Sequence, residues 1–401
     1  MKRFNTFCFL DSSGYSDALT SCDLLVGAGV EETFSSSSPD ALQQLQEFIQ
    51  QHKSWLFGHL GYGLTIPGNL VFPDKRDEIS FPHTYFFEPQ VVVCLNEQTL
   101  TIEAVSADEV YKAIQDIFPE HQQSKNKIPA LKSRLTKDAY VQIIEELQKH
   151  IHRGDCYEIN FCQEFFAENA GIDAFDVYQK LSALSPNPFS GFYRCGDKWL
   201  MCASPERFLK KMGNRIVSQP IKGTLRHNPA QTLAEREALL CSEKDRAENV
   251  MVVDLVRNDL SKVCRAGSVR VDELFGIYSF PQVHQMISTV SGELQGGVSF
   301  ADIITATFPM GSMTGAPKVR VLRLIDQYEQ GGRGIFSGSL GYISPTGDFD
   351  FNVVIRSLMY NGATGYLSYQ TGSGITIYSH PEQEWKECLL KGEAIQQALS
   401  E

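Results

Sequence analysis

The segment Pro220-Ile221-Lys222-Gly223-Thr224 places one lysine between a proline and a glycine, with little other charge before Arg226. Burial disfavours the charged form of a lysine, and a neutral amine is a nucleophile. The pattern therefore makes Lys222 a candidate for covalent catalysis from a turn. A solvated lysine in an ordinary turn has the same pattern, so the segment alone leaves both interpretations open.

Two pairs of acidic residues share a spacing that points both members of a pair in one direction. Asp245 and Glu248 are three residues apart in one predicted helix, and Glu384 and Glu387 are three apart in another. Residues at i and i+3 lie on the same helix face. Four carboxylates from two facing helices suit Mg²⁺. Solvated acidic faces on two separate helices are the alternative.

Two glycine-rich segments are candidates for anion binding. The segment Gly311-Ser312-Met313-Thr314-Gly315-Ala316-Pro317-Lys318 precedes a predicted helix, and Gly372-Ser373-Gly374 is expected to follow a strand. Backbone amides exposed in such turns bind anions. Arg356 ends an apolar strand, and a guanidinium suits a carboxylate. Plain turn geometry and a surface arginine are the alternatives, and neither segment is a nucleotide-binding fingerprint.

Glu206 and His284 are the remaining titratable candidates. Glu206 follows the end of an apolar strand, where partial burial would raise its pKa and suit a general acid; an ion pair with Arg207 is the alternative. His284 stands alone among its neighbours, and we interpret it as a structural histidine.

Helices and strands are interspersed around these residues without regular βαβ alternation, which favours an α+β architecture. Apolar periodicity predicts helices at 40–52, 136–152, 233–260, 317–328 and 381–399, and strands at 84–87, 91–95, 157–165, 199–203 and 366–369. The polar, basic stretch 124–132 is the best linker candidate.

Composition excludes several classes of protein. The net charge of the 401 residues is -12, with no basic stripe, which argues against nucleic acid as a partner. None of the ten cysteines forms a C-x-x-C pair, and a reduced cytoplasmic compartment is the simplest interpretation. No apolar segment reaches the 18 residues of a membrane span.

Taken together, these segments resemble the chorismate-utilising enzymes, a family that includes anthranilate, aminodeoxychorismate, isochorismate and salicylate synthases. The resemblance covers about 135–399, and its blocks stand in family order: Gly154-Asp155-Cys156-Tyr157, Ser204-Pro205-Glu206, the Lys222 segment, Asp254-Leu255-Val256-Arg257-Asn258-Asp259, Gly315-Ala316-Pro317-Lys318 and Gly372-Ser373-Gly374. It implies large antiparallel sheets packed as a sandwich with helices outside. It also implies an N-terminal lobe at 1–125 that packs into the same sandwich, and a chorismate-binding core at 133–401.

The resemblance also implies roles at matching positions. It makes Glu248 and Glu387 ligands of Mg²⁺, with Asp245 and Glu384 behind them through water. Glu206 becomes the acid that protonates the departing C4 hydroxyl. The substrate-binding positions are Thr314, Gly315, Arg356, Gly372, Ser373, Gly374 and Lys391.

Three positions bear on the subfamily. The isochorismate and salicylate synthases carry a water-activating lysine where this chain has Glu158. The amino-transferring enzymes that keep the pyruvyl ether typically carry a lysine at the position of Lys222, which is proposed to attack ring carbon C2 before ammonia attacks C4. The common active-site histidine falls at Gln285, which cannot shuttle protons. The resemblance thus implies amination of chorismate to 4-amino-4-deoxychorismate, on the route to para-aminobenzoate and folate.

No glutamine-amidotransferase segment is recognisable in the chain, so the resemblance implies a separate amidotransferase subunit that supplies ammonia from glutamine. Two alternatives stay open. One is the large component of an anthranilate synthase, and the other is a non-catalytic relative that binds chorismate.

Overall fold

Two antiparallel sheets form the body of the protein. The computed structural model describes residues 3–15, 19–66, 75–116, 128–228, 230–280 and 283–400. The strands are β1 Thr6–Asp11, β2 Leu24–Ala28, β3 Glu32–Ser36, β4 Leu56–Leu60, β5 Thr84–Glu88, β6 Val91–Asn96, β7 Thr99–Ala104, β8 Lys132–Ser133, β9 Glu158–Ala167, β10 Phe189–Cys195, β11 Lys198–Ser204, β12 Arg207–Met212, β13 Arg215–Gln219, β14 Ile221–Arg226, β15 Arg270–Ser279, β16 Val283–Glu293, β17 Gly315–Ala316, β18 Ser339–Ile343, β19 Phe349–Asn352, β20 Ser357–Asn361 and β21 Tyr366–Ile375.

The first sheet has the strand order β17-β9-β21-β20-β11-β10-β1-β2-β6-β7, with β8 also paired to β9. The second has the order β14-β16-β13-β12-β19-β18-β4-β5-β3, with β15 also paired to β16. Strands from the first hundred residues lie in both sheets. The predicted α+β class with large antiparallel sheets is confirmed.

The helices are α1 Ala41–Gln51, α2 Ala107–Gln115, α3 Lys137–His152, α4 Ala174–Leu184, α5 Thr232–Cys241, α6 Glu243–Ser261, α7 Phe300–Thr307, α8 Lys318–Tyr328 and α9 Pro381–Ser400, with a 3-10 turn at Gly311–Met313. The helix predicted at 233–260 is wrong as a single element. Ser242 ends α5 and caps α6, where its side chain accepts a hydrogen bond from the amide of Asp245. Among the described residues, no helix combines the length and apolar character needed to cross a membrane.

Two apolar clusters hold the layers together. One contains Phe57, Phe86 and Phe351 from the second sheet together with Leu200 from the first. The other packs the first sheet against α3, α4, α8 and α9, whose buried faces include Tyr140, Leu181, Leu324 and Ile395. Both clusters rest on periodic apolar residues, which explains why the longer helices were predictable from sequence. Because apolar packing fixes β9, β21 and α9 relative to one another, these elements form a rigid frame for polar side chains.

The proposed boundary between an N-terminal lobe at 1–125 and a core at 133–401 stays a prediction. Part of the predicted linker, 124–127, lies outside the described residues.

Candidate active site

A cavity of about 110 Å³ gathers most of the predicted site residues. It lies where β9, β14 and β21 approach helices α6 and α9. Nine of the predicted residues line it: Glu206, Lys222, Asp245, Glu248, Arg356, Gly372, Gly374, Glu387 and Lys391. These residues come from widely separated parts of the chain, so their convergence argues against scattered surface positions.

Four predicted residues lie outside the cavity lining. The hydroxyl of Thr314 donates to the carbonyl oxygens of Met310 and Gly311, and Gly315 pairs with β9. Ser373 faces the hydroxyl of Tyr140, and Glu384 is buried beside Lys244. The lining residues next to Thr314 are Ser312 and Met313. Substrate contact by Thr314, Gly315 and Ser373 stays a prediction.

Lys222 lies in a strand, so its prediction as a turn residue is wrong. It is the second residue of β14, and the pairing with β16 shifts register between Ile221 and Thr224. Gly223 has a φ of +92°, a conformation that favours glycine. Such an irregularity turns a side chain away from the regular alternation of a strand. The bulge thus directs Lys222 into the cavity.

The buried partner of Lys222 is Glu158, the first residue of β9. Lys222 Nζ lies 2.5 Å from Glu158 Oε1, and the two side chains are 9% and 3% exposed. Burial lowers the pKa of Lys222, but the carboxylates of Glu158 and Glu248 outweigh it and raise that pKa above its usual range. The prediction that burial alone gives a neutral amine is therefore wrong, and Lys222 is an ammonium in this arrangement.

Glu206 has the environment predicted for a general acid. Its side chain is buried, and burial raises its pKa to about 7, although the hydroxyl of Ser312 and the charge of Lys222 lower it. The neighbouring Arg207 forms an ion pair with Asp350, at 3.0 Å from Nε to Oδ1. A carboxyl group with a pKa near 7 is a competent proton donor at neutral pH.

The acidic pairs lie in α6 and α9 as predicted, and a lysine joins the two helices. Lys244 Nζ is 3.1 Å from Glu384 Oε1 and 3.7 Å from Glu248 Oε1. Burial raises the pKa of Glu248 to about 7. Burial also acts to raise the pKa of Glu387, but its ion pair with Lys391 holds that pKa at about 2.

The chemistry of these carboxylates fits a hard cation. Glu248 Oε1 and Glu384 Oε2 are buried and have no hydrogen-bond partner among the residues described. Within the same ranges, no three or more acidic, histidine or cysteine side chains are arranged to hold a metal ion. In this arrangement the Lys244 ammonium lies beside Glu248 of α6 and Glu384 of α9 and supplies positive charge to both carboxylates.

Arg356 and Lys391 form the cationic side of the cavity. Arg356 has a φ of +53°, which is unusual for a residue with a side chain. Its Nη1 donates to the carbonyl oxygen of Lys391 at 3.3 Å, and Lys391 Nζ donates to the carbonyl oxygen of Gly372 at 2.8 Å. Burial lowers the pKa of Arg356 to about 10, which leaves the guanidinium charged at neutral pH. The two cations could bind a carboxylate.

The glycines of Gly372-Ser373-Gly374 lie inside β21, so their placement in a turn after the strand is wrong. They pair in register with residues 160–162 of β9. A Cβ on Gly374 would lie 2.5 Å from Lys222 Nζ and 2.7 Å from Glu158 Oε1. The absence of a side chain at Gly374 therefore makes room for that ion pair.

Several lining residues were missed, or noted only as departures from the family, in the sequence analysis. Lys244 has one local signal, its position four residues before Glu248 on a helix. Gln285 is buried, lines the cavity and leaves its Oε1 without a hydrogen-bond partner in the described part of the chain. His284, predicted to be structural, is buried and contacts Ser279 and Glu235, which confirms that interpretation.

A larger cavity of about 230 Å³ lies elsewhere, lined by residues that include Tyr15, Phe189, Phe280 and Asp350. It contains none of the predicted site residues. The smaller cavity is the better candidate for the chemistry, because it combines the buried Lys222, the acid Glu206, several carboxylates and two further cations.

Comparisons with known proteins identify relatives along most of the chain. The family model described as chorismate binding enzyme matches residues 9–397. An anthranilate synthase component I-like protein of Synechocystis sp. is 34% identical over 367 residues, 89% of this chain and 75% of the relative. Aminodeoxychorismate synthase component 1 of Bacillus subtilis is 34% identical over 343 residues, 80% of this chain and 72% of the relative.

The fold also matches a solved structure. Anthranilate synthase component I from Streptococcus pneumoniae TIGR4 superposes with a TM-score of 0.79 at 25% identity, over 97% of this chain and 92% of that one. Some curated relatives are longer: the chain spans 57% of the aminodeoxychorismate synthase component 1 of Klebsiella aerogenes.

Proposed function

The chain belongs to the chorismate-binding enzyme family, and we propose that it transfers ammonia to chorismate to give 4-amino-4-deoxychorismate. The observation that carries this proposal is the buried Lys222, which lies in one cavity with Glu206, Arg356 and Lys391. The name of the Bacillus subtilis relative, aminodeoxychorismate synthase component 1, supports the same reaction.

Lys222 is the proposed nucleophile. Its neutral amine attacks ring carbon C2, the double bonds shift, and the C4 hydroxyl leaves as water with a proton from Glu206. Hydroxide is a poor leaving group, so a buried acid with a pKa of about 7 speeds this step. Ammonia then attacks C4, the double bonds return, and the lysine amine leaves C2. The new ammonium group on C4 returns a proton to Glu206, which restores the enzyme.

Arg356 and Lys391 bind a substrate carboxylate in this proposal, because a guanidinium and an ammonium on one side of a cavity favour an anion. Glu248 and Glu387 would hold Mg²⁺, with Asp245 and Glu384 behind through water. Mg²⁺ bound by these residues would stabilise negative charge on the substrate carboxylate. The unpartnered oxygens of Glu248 and Glu384 support this assignment.

Gln285 supports retention of the pyruvyl ether. An amide side chain cannot accept and return a proton in the way that elimination of pyruvate requires. The product expected from this cavity is therefore aminated and still carries the ether. The designation component 1 in relatives also leads us to propose a separate amidotransferase subunit that supplies ammonia from glutamine.

The test is to incubate the purified protein with chorismate, Mg²⁺ and ammonium at mildly alkaline pH and to determine the product mass. We expect a product in which an amino group replaces a hydroxyl and the pyruvyl ether remains. Fluorescent anthranilate would instead indicate an anthranilate synthase component. Binding of chorismate without any product, even with excess ammonium, would contradict the proposal and favour a non-catalytic relative.

A further inference from the structure

The attack by Lys222 and the proton transfer from Glu206 leave Glu158 without a role, yet Glu158 is the ion-pair partner of Lys222. Its Oε1 lies 2.5 Å from Lys222 Nζ. Its second oxygen, Oε2, is buried and has no hydrogen-bond partner within the described ranges. A buried carboxylate usually has its oxygens satisfied, so an unpartnered oxygen calls for a reason.

We propose that Glu158 is the positioning residue for Lys222: it holds the ammonium in the cavity and accepts its proton when the substrate is bound. This inference rests on the proposed function, because it gives Glu158 a part in the attack by Lys222. It also explains how a lysine that is charged before the reaction becomes a nucleophile.

The backbone around Glu158 fixes the carboxylate in place. Glu158 pairs with Ala316 of β17, and a Cβ on Gly315 would lie 2.1 Å from the carbonyl oxygen of Glu158. On the other side, Gly374 of β21 leaves just enough space for the ion pair. Two strands thus clamp β9 while the bulge in β14 delivers Lys222. This arrangement presets the geometry of proton transfer, which requires donor and acceptor within hydrogen-bond distance.

The step balances without any further reactant. A proton passes from Lys222 Nζ to Glu158, which gives a neutral amine and a neutral carboxyl group. The amine bonds to C2 while the C4 hydroxyl leaves as water with the proton of Glu206. Ammonia next bonds to C4, and the lysine amine leaves C2. Glu206 recovers a proton from the new ammonium group, and Glu158 returns its proton to Lys222.

Other charged groups line the same cavity as Lys222, and they come from several elements around it. They are Glu206 after β11, Lys244, Asp245 and Glu248 on α6, Arg356 before β20, and Glu387 and Lys391 on α9. Among the described residues, however, only Glu158 combines direct contact with Lys222 Nζ and an unpartnered carboxylate oxygen. Changing Glu158 alone therefore tests the pair without altering the proposed metal ligands.

The experiment compares Glu158→Gln with wild type in the amination assay. Glutamine keeps the size and can still hydrogen-bond, but it cannot take the proton. We expect kcat to fall by roughly 10²-fold or more, while KM for chorismate stays within about twofold. Glu164→Gln is the matched control: it lies on the same strand, is 13% exposed and pairs with Arg134, away from the cavity. It should retain wild-type kcat.

A pH series separates proton transfer from a purely structural role, because a structural role of Glu158 would not change how kcat depends on pH. Without Glu158, Lys222 must lose its proton to solvent, so the ratio of variant to wild-type kcat should rise as pH rises. Any pH dependence from Glu206 is shared and cancels in that ratio. Glu158→Asp keeps a carboxylate at a greater distance and should recover part of the lost rate.

Equal kcat values in Glu158→Gln and wild type would overturn the inference. A raised KM with unchanged kcat would also overturn it, since Glu158 would then act in binding. A thermal unfolding curve for each variant separates these outcomes from misfolding, and Glu158→Asp serves as the test if the glutamine variant does not fold. Failure of wild type to aminate chorismate would instead count against the proposed function itself.

Discussion

Two buried ion pairs in this protein have opposite characters. Arg333 and Glu329 are 1% and 5% exposed, and Arg333 also donates to the carbonyl oxygens of Met313 and Asn160. One oxygen of Glu329 accepts a further hydrogen bond from the amide of Cys162. Lys222 and Glu158 are nearly as buried, but they line or border a polar cavity and leave one carboxylate oxygen unpartnered.

The difference separates a structural pair from a reactive one. A buried charge whose hydrogen bonds are all made is held in one state, and breaking its pair leaves an uncompensated charge. A pair with an unused oxygen beside a cavity can exchange a proton and then make room for a ligand. Burial alone does not distinguish the two pairs, whereas their hydrogen-bond partners do.

The largest effect should come from Lys222→Ala. Loss of the nucleophile is expected to lower kcat/KM by about 10³-fold or more. Truncation of Lys222 opens space between Glu158 and the polar cavity, so water is expected to solvate the carboxylate and the free energy of unfolding should fall by only about 1 kcal/mol. Steady-state kinetics together with denaturant unfolding check both parts. Retention of a tenth of the wild-type rate would show that the pair is not reactive in the sense proposed.

Arg333→Met should do the reverse. It leaves the Glu329 carboxylate buried and unpaired, so the free energy of unfolding is expected to fall by about 3–5 kcal/mol. Denaturant unfolding followed by circular dichroism measures this loss. The contrast with Lys222→Ala is the essential result: an equal loss of stability in both variants would mean that the two ion pairs contribute equally to the folded state.

Glu206→Gln tests the acid next to the reactive pair. Removal of the general acid should lower kcat by about 10²-fold. The acid must be protonated to act, and its pKa is about 7, so wild-type kcat at saturating ammonia should fall as pH rises above 7. That fall should disappear in the variant. Two results together would contradict a catalytic role for Glu206: a wild-type kcat that does not change from pH 6 to 8, and a Glu206→Gln variant with wild-type kcat.

The smallest expected effect comes from Gly374→Ala. The added methyl group would meet Lys222 Nζ at 2.5 Å and push the lysine away from Glu158. We expect kcat to fall by about 10-fold, since a small misplacement of a reacting group costs one to two orders of magnitude. Gly171→Ala, at a position with open space around it, is the control and should behave as wild type. A Gly374→Ala variant of wild-type activity would mean that the pair is not tightly positioned.

Local patterns explain what could be predicted from the sequence. Helices α3, α8 and α9 have periodic apolar faces, and their predicted bounds agree with the structure to within about one residue. The acidic residues of α6 and α9 were placed on helices for the same reason. The break at Ser242 was missed because a serine that caps a helix also occurs inside one, and only its hydrogen bond to Asp245 distinguishes the two.

Contacts between distant segments explain what could not be predicted. Lys222 and Glu158 are far apart in sequence, and their pairing depends on the bulge in β14 and on the first residue of β9. Without that contact, burial alone pointed to a neutral lysine, which is wrong. The glycines of β21 gave a turn signal locally, but strand pairing with β9 overrides it.

The most direct test of the central claim is to look for the bond to Lys222. Protein is mixed with chorismate and Mg²⁺ but no ammonia, quenched in acid, digested and examined by peptide mass spectrometry. We predict a modification on the peptide that contains Lys222, with the mass of chorismate less one water, and its discharge when ammonium is added before the quench. An unmodified Lys222 in a preparation that aminates chorismate would contradict covalent catalysis by this lysine.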